Sequence, residues 1–493
     1  MLFNSFSFLI FFPIVTIVFF LLPHRFRWLW LLLASCYFYM FFIPIYILIL
    51  FITIAIDYTA GIMIEKSEGW QRKVYLIVSI VATCLVLFIF KYYNFFIYNF
   101  DSLAVLLHWN YSINYLKIIL PIGLSFHTFQ SLCYVIEVYK GKISAERHFG
   151  IYSLYVMFYP QLVAGPIERP QNMLPQFREE KKFDHIRVVA GLRLILLGLF
   201  KKIFIADRLA ILVAGVYSDP SGFNGLPLIF ATIFFAFQIY CDFSGYSDIA
   251  IGSAKVMGFR LMDNFNFPYF SSTINEFWKR WHISLSSWFR DYVYIPLGGN
   301  RVPKINWIIN ILITFIVSGF WHGASWTFII WGGLHGLYIV AWDSFTILKD
   351  KIIKRFNISN KLYDINIGPV ITFLLVSFAW IFFRANSIND ALYVVKNLFF
   401  GIGGQLSHVY AYLLGNEDYS ALLSGLWPGA SQIDLIIAVI TLIGFIWFES
   451  KINFWQKIFN KSMVFRWLVY YFVIILMLFF GIFDNSQFIY FQF

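Results

Sequence analysis

Residues 305–345 read INWIINILITFIVSGFWHGASWTFIIWGGLHGLYIVAWDSF. Two apolar runs, 305–320 and 324–345, flank Trp321-His322-Gly323-Ala324. Each run approaches the roughly 20 apolar residues that carry a helix across a bilayer. Basic residues lie on both sides: Lys279, Arg280, Arg290, Arg301 and Lys304 before, Lys349, Lys351, Lys354 and Arg355 after. Short basic loops stay on the cytoplasmic side of a membrane. Both ends then face the same way, so the segment is a hairpin and His322 sits at its turn, deep in the protein. A histidine in an apolar stretch is costly unless paired or wetted, which makes it a functional-site candidate. Gly319 and Gly323 allow close backbone approach around it.

The rest of the chain agrees with a membrane setting. Of 493 residues, 60% are hydrophobic and 13% charged, against about 25% charged in soluble domains. Sixty Phe, thirty Tyr and seventeen Trp suit a protein with many membrane-interface contacts. The net charge of +11 is spread over short loops, where it marks topology and attracts anionic lipid headgroups. That distribution argues against nucleic acid as a partner. The four cysteines are far apart with no C-x-x-C pair, so no disulfide framework or zinc site is expected.

Further apolar runs cover 5–23, 27–44, 45–63, 74–92, 116–137, 150–165, 188–215, 227–257, 366–383, 434–448 and 466–482. No Lys or Arg precedes the first run and no small-residue cleavage site follows it, so it reads as a retained span. The loops at 24–27, 66–72, 140–148, 178–187, 279–304, 349–355 and 451–461 are basic or mixed and are assigned to the cytoplasm. Those at 93–115, 216–226 and 384–433 carry few basic residues and are assigned outside, together with the N-terminus. The run 150–165 lies between two basic loops and holds Pro160, Gly165 and Pro166, so it reads as re-entrant. The expected fold is all-α and polytopic, with about 11–13 transmembrane or re-entrant helices in a single membrane domain. Residues 384–433 form an outward-facing loop region.

Several stretches carry chemistry. Residues 275–291, NEFWKRWHISLSSWFRD, place Phe277, Trp278, Trp281, Leu285, Trp288 and Phe289 on one arc of a helix. Lys279, Arg280, Ser286, Ser287 and Arg290 fall on the other. That pattern predicts one interfacial amphipathic helix with His282 at the border of its two faces. Asp242 and Asp248, in or near an apolar run, are candidates for a site or for pairing with nearby cations. His322 and His335 are thirteen residues apart, about 20 Å along one helix, and no H-E-x-x-H spacing exists, so no metal site is expected. A neutral imidazole acting as general base suits His322 better. There is no G-x-S-x-G elbow, phosphate-binding loop or dinucleotide fingerprint.

Eight stretches in order resemble the membrane-bound O-acyltransferase family, most closely its bacterial branch that includes alginate O-acetyltransferase. They are LPIGLSF at 120–126, PQLVAGP at 160–166, DFSGYSD at 242–248, NFNFPY at 264–269, the 277–291 stretch, IPLGGNR at 295–301, FWHGASW at 320–326 and WGGLHG at 331–336. The terminal FIYFQF at 488–493 is also similar. The likeness is densest over 120–340, the expected catalytic core. The resemblance implies a ring of helices around a thin central zone. It matches the family's catalytic histidine to His322 and its second signature residue to His282. Asp242, Asp248, Trp278, Arg280, Arg290, Trp321, Ser325 and His335 are the substrate-binding candidates around them. It further implies acetyl-CoA as donor substrate with no bound cofactor. The acceptor would be a polysaccharide hydroxyl outside the bacterial cytoplasmic membrane, and an extracytoplasmic SGNH-type acetyltransferase a partner. Transfer of D-alanyl or another acyl group to teichoic acid or peptidoglycan is the alternative within the family. A transporter or lipid flippase is the alternative outside it, since broken helices and midplane polar groups mark those too.

Overall fold

The computed structural model describes residues 1–109, 111, 113–162, 165–356, 367–416, 418, 420, 422, 427, 431–450, 462–483 and 489. The described residues form helices and connections, with no strand among them. Among the described residues, six helices are long and apolar enough to cross a membrane: Pro44–Lys66, Gly69–Leu106, Leu226–Met257, Lys304–His322, Ile433–Ser450 and Met463–Phe480. Phe6–Leu21 and Gly368–Arg384 are apolar but shorter. The chain divides into two compact units. One holds Met1–Gly198 and Tyr246–Asp263; the other holds Leu199–Gly245 and residues 264–492.

In the first unit the expected re-entrant run becomes two short helices, Phe149–Met157 and Tyr159–Leu162, with every residue from 151 to 162 buried. Pro160 cannot continue a helix ladder, so backbone groups at the break need other partners. Gln130 and Gln161 both donate side-chain amides to the Tyr155 carbonyl at 2.6 Å. Ser35 Oγ accepts the Tyr159 N–H at 3.0 Å. Irregular backbone inside a membrane protein survives only where protein covers it in this way. Val163 and Ala164 of this stretch, the terminal 488–493 stretch apart from Ile489, and the basic loop 451–461 lie outside the described residues.

The second unit contains the hairpin. Its helices are Lys304–His322 and Trp326–Phe356. The turn falls at Gly323-Ala324-Ser325, and His322 is the last residue of the first helix. Glycines let the two helices touch backbone to backbone. A Cβ on Gly319 would run into the Phe328 carbonyl, and one on Gly332 into the Phe315 carbonyl. Small residues at helix contacts serve the same purpose throughout membrane proteins. Ahead of the hairpin, Gly298 and Gly299 take positive φ, and Asn310 donates to the carbonyls of Leu297 and Gly299 at 3.0 and 3.2 Å. The IPLGGNR turn is thereby pinned to the first hairpin helix.

Four expectations need correction. Residues 93–115 are not a loop throughout, because Tyr93–Leu106 continues the preceding span as a helix. The helix in 116–137 starts only at Leu124, after Pro121 and a left-handed Gly123. Residues 384–433 include two helices, Ile388–Asn397 and Ile402–Leu413. The fourth is residues 275–291, which do not form one interfacial helix. They break into Ile274–Arg280 and Ile283–Phe289. Phe277, Trp281, Leu285, Trp288 and Phe289 are buried against protein and do not form an exposed apolar face.

Candidate active site

The break in 275–291 is centred on His282. Trp281 is extended and His282 takes φ 43°, ψ 57°. A non-glycine residue in the left-handed region is uncommon and often marks a function-bearing constraint. Neighbouring backbone holds the break in place: Asn266 N–H donates to the Arg280 carbonyl and Ile283 N–H to the Asn264 carbonyl, both at 2.9 Å. His282 is fully buried, with Phe243 edge-on at 4.5 Å.

The hydrogen bonds around His282 define its tautomer. Asn264 Oδ1 accepts from Ser284 N–H at 3.3 Å and from Ser284 Oγ at 2.9 Å. It also lies 3.0 Å from His282 Nδ1. Because the amide oxygen is the atom facing the ring, Nδ1 carries the hydrogen and Nε2 holds the basic lone pair. Burial pushes the imidazole down to about 3, which keeps it neutral.

His322 is buried at the end of its helix. Three rings stand steeply against its imidazole. Trp321 is at 4.8 Å, Trp331 at 5.0 Å and Phe383 at 5.3 Å between ring centroids. Trp331 and Phe383 arrive from the second hairpin helix and from Gly368–Arg384. Gly323 has no room for a side chain, because a Cβ there would strike the Phe328 ring. A series of rings joins the two histidines. From His282 it runs through Phe265, Trp281, Trp380 and Trp331 to His322.

The remaining candidates separate by environment. His335 is fully buried, and its Nδ1 accepts the Trp278 Nε1–H at 3.3 Å. It packs against Trp331 at 5.0 Å, so Trp278 and His335 brace the wall beside His322. Ser325 Oγ accepts the Thr327 N–H at 3.3 Å at the start of the second hairpin helix. Arg280 pairs with Glu276 at 2.6 Å and Arg290 with Asp291 at 2.8 Å. Lys279, Arg290, Arg301 and Lys304 are exposed along residues 279–304, which lead into the hairpin. Asp242 is held in an ion cluster. Lys202 Nζ lies 2.7 Å from Asp242 and 2.8 Å from Asp207, all three nearly excluded from the surface. Asp242 also accepts the Ile489 N–H at 2.8 Å. A buried carboxylate needs such partners. Asp248, six residues on, falls in the other unit and is half-buried. Among the described residues no group of three His, Cys, Asp or Glu is placed to hold a metal ion.

Sequence reasoning passed over Asn264 as a site residue, although it belongs to a quoted stretch. It also missed Trp331, Phe383 and Lys202. Phe383 lies sixty-one residues from His322 in the chain, and only tertiary packing brings it there.

Helices long and apolar enough to span a membrane, together with buried, ring-enclosed histidines in the second unit, mark the chain as a polytopic membrane protein. The pattern of the membrane-bound O-acyltransferase family matches residues 146–388. The chain is 34% identical over 384 residues to a peptidoglycan O-acetyltransferase of Helicobacter pylori, covering 72% of this chain and 71% of that one. It is 38% identical over 338 residues to a probable alginate O-acetylase AlgI of Azotobacter vinelandii, covering 67% of this chain and 63% of the relative's length. A teichoic acid D-alanyltransferase of Streptococcus thermophilus is 30% identical over 302 residues, covering 56% of this chain and 70% of that one. The chain belongs to the membrane-bound O-acyltransferase family and is a multi-pass membrane O-acyltransferase.

Proposed function

We propose that the chain moves an acetyl group from cytoplasmic acetyl-CoA to a hydroxyl outside the bacterial cytoplasmic membrane, and that the final acceptor is a cell-envelope polysaccharide. One observation carries this reading. His322 lies buried at the end of a hairpin helix, ringed by Trp321, Trp331 and Phe383, while the hairpin's ends lie in basic segments. The exposed cations of 279–304 suit the phosphates of a large anionic donor approaching from the cytoplasm. The names of the acetylating relatives support acetyl as the cargo and a glycan as its destination.

In this reading a neutral nitrogen of His322 accepts the proton of the acceptor hydroxyl as its oxygen attacks the thioester carbonyl. The carbon–sulfur bond then breaks. The departing thiolate takes the proton back from the imidazolium, so ester and thiol leave with His322 restored. His282 faces the same aromatic core as a second neutral base. The immediate acceptor is either the glycan or a hydroxyl on an extracytoplasmic SGNH-type partner that passes the acetyl on.

Membranes bearing the full chain test this with acetyl-CoA labelled in its acetyl group and candidate polymers. Label is expected on one polymer. His322→Ala, inserted normally, should lose about 10²–10⁴-fold of the transfer. Full transfer by that variant, or no label on any polymer or on a partner protein supplied with the intact chain, refutes the proposal. D-alanyl transfer is the second reading, favoured by the D-alanyltransferase relative. A D-alanyl thioester offered in place of acetyl-CoA separates the two.

A further inference from the structure

A cleft of about 420 Å³ opens in the second unit between residues 222–227 and the start of the helix Ile402–Leu413. Its volume falls in the range of small-ligand sites, roughly 300–1,000 Å³. Asn224, Gln405, Ser407 and His408 supply its polar side chains, and Gly401 and Gly404 leave its wall open to backbone groups. Among the described residues, no Asp, Glu, Lys or Arg lines it.

The cleft is built and not merely left over between loops. Gln405 Nε2 donates to the Asn224 carbonyl at 2.9 Å, and Gln405 Oε1 accepts the Leu226 N–H at 2.8 Å. Gly225 N–H donates to the Asn397 carbonyl at 3.0 Å. Tyr393 Oη donates to the carbonyls of Ser221 and Phe223 at 3.1 and 3.3 Å. Gly225 takes φ +60°, and a Cβ there would strike Gln405 Oε1. Rigid walls of this kind lower the entropy cost of holding a ligand.

Its place in the chain connects it to the reaction. The helix Gly368–Arg384 brings Phe383 to His322, and one ten-residue helix, Ile388–Asn397, then leads on to Gly401. Both lining segments belong to stretches poor in basic residues, which the charge rule puts outside. Phe399 and Phe400, immediately before Gly401, are 74% and 67% exposed.

We infer that this cleft is a subsite for an uncharged sugar of the acceptor glycan. Amides, an imidazole and backbone carbonyls match the donors and acceptors of sugar hydroxyl and acetamido groups. A uronate or phosphate would enter without a cation to meet it, which is unfavourable. The inference rests on the reading that a glycan is acetylated outside the membrane. It holds whether the acetyl passes to that glycan directly or through a partner protein.

Sugar binding tests it without any acetyl donor. The full chain in lipid nanodiscs is titrated with an N-acetylglucosamine tetramer and, separately, with a mannuronate tetramer, read by saturation-transfer NMR. The neutral sugar is expected to bind at least about tenfold tighter than the uronate. Gly404→Trp, which fills the cleft, and Asn224→Ala should each weaken neutral-sugar binding about tenfold or more with thermal unfolding unchanged. Equal or tighter uronate binding overturns the inference. So does neutral-sugar binding that both variants keep, or the absence of any neutral-sugar binding to the full chain. If sugar binds in the cleft but no polymer is ever labelled in the transfer assay, the acetyl-transfer reading fails on its own.

Discussion

At the residue scale, His282 shows how backbone and side chain combine. Its left-handed φ breaks what the helical pattern predicts to be one helix, and the break turns the imidazole inward onto Asn264. Buried without charge, it binds no proton in the folded chain until pH nears 3, while in the unfolded chain it titrates near 6.5. Its folded pKa is depressed, so the stability it contributes is fully present above about 6.5 and lost as pH falls toward about 3. The wild-type chain in detergent should therefore lose Tm between pH 7 and pH 5. His282→Asn keeps a donor for Asn264 but cannot titrate, so it should lose distinctly less over the same interval. Thermal scans at the two pH values check this; identical pH dependence in both proteins would remove His282 as the source.

At the element scale, the hairpin was legible in the sequence because charge and hydropathy bound it on both sides. The two apolar runs and the glycines beside His322 sufficed to place the turn within two residues. The amphipathic arc at 275–291 misled for a physical reason. A helical wheel shows which residues share a face, not whether lipid or protein covers that face, and here Phe277, Trp281 and Trp288 meet other aromatic side chains. Asn264 and Phe383 carry no local pattern that ties them to a histidine, so packing alone reveals them. The hairpin's tightness gives its own expectation. Gly332 lies against the Phe315 carbonyl and close to Gly319. Gly332→Ala should force the helices apart, cost about 1–3 kcal/mol of stability as overpacking does, and lower acetyl transfer by displacing Trp331 and Trp321 from His322. Gly333→Ala, where nothing lies within 4 Å of the added Cβ, should change stability little. Denaturant titration of the two variants checks the contrast, and equal losses would mean that the glycine contact is not what holds the hairpin.

At the scale of the whole molecule, the question is which face of the membrane each end of the site meets. The first hairpin helix has 19 residues, which at 1.5 Å per residue is about 28 Å of rise. That nearly equals the roughly 30 Å hydrocarbon core. On the proposed reading, a helix starting at the cytoplasmic edge would carry His322 most of the way across, so that a cytoplasmic donor would reach far inward and an outside acceptor would have little distance to cover. By the charge rule the exposed Lys279, Arg301 and Lys304 are expected at the cytoplasmic edge, and the sparsely basic stretch around Ile402–Leu413 at the opposite one. Single cysteines introduced into a cysteine-free background test that arrangement directly. Arg301→Cys should react with a membrane-impermeant thiol reagent only after the membrane is opened, and Gly403→Cys, at an open position, should react in intact cells. The reverse pattern would invert the hairpin and place the donor on the wrong side of His322. Labelling of both from outside would mean that the two ends share a face, and that acetyl transfer does not cross the membrane through this site.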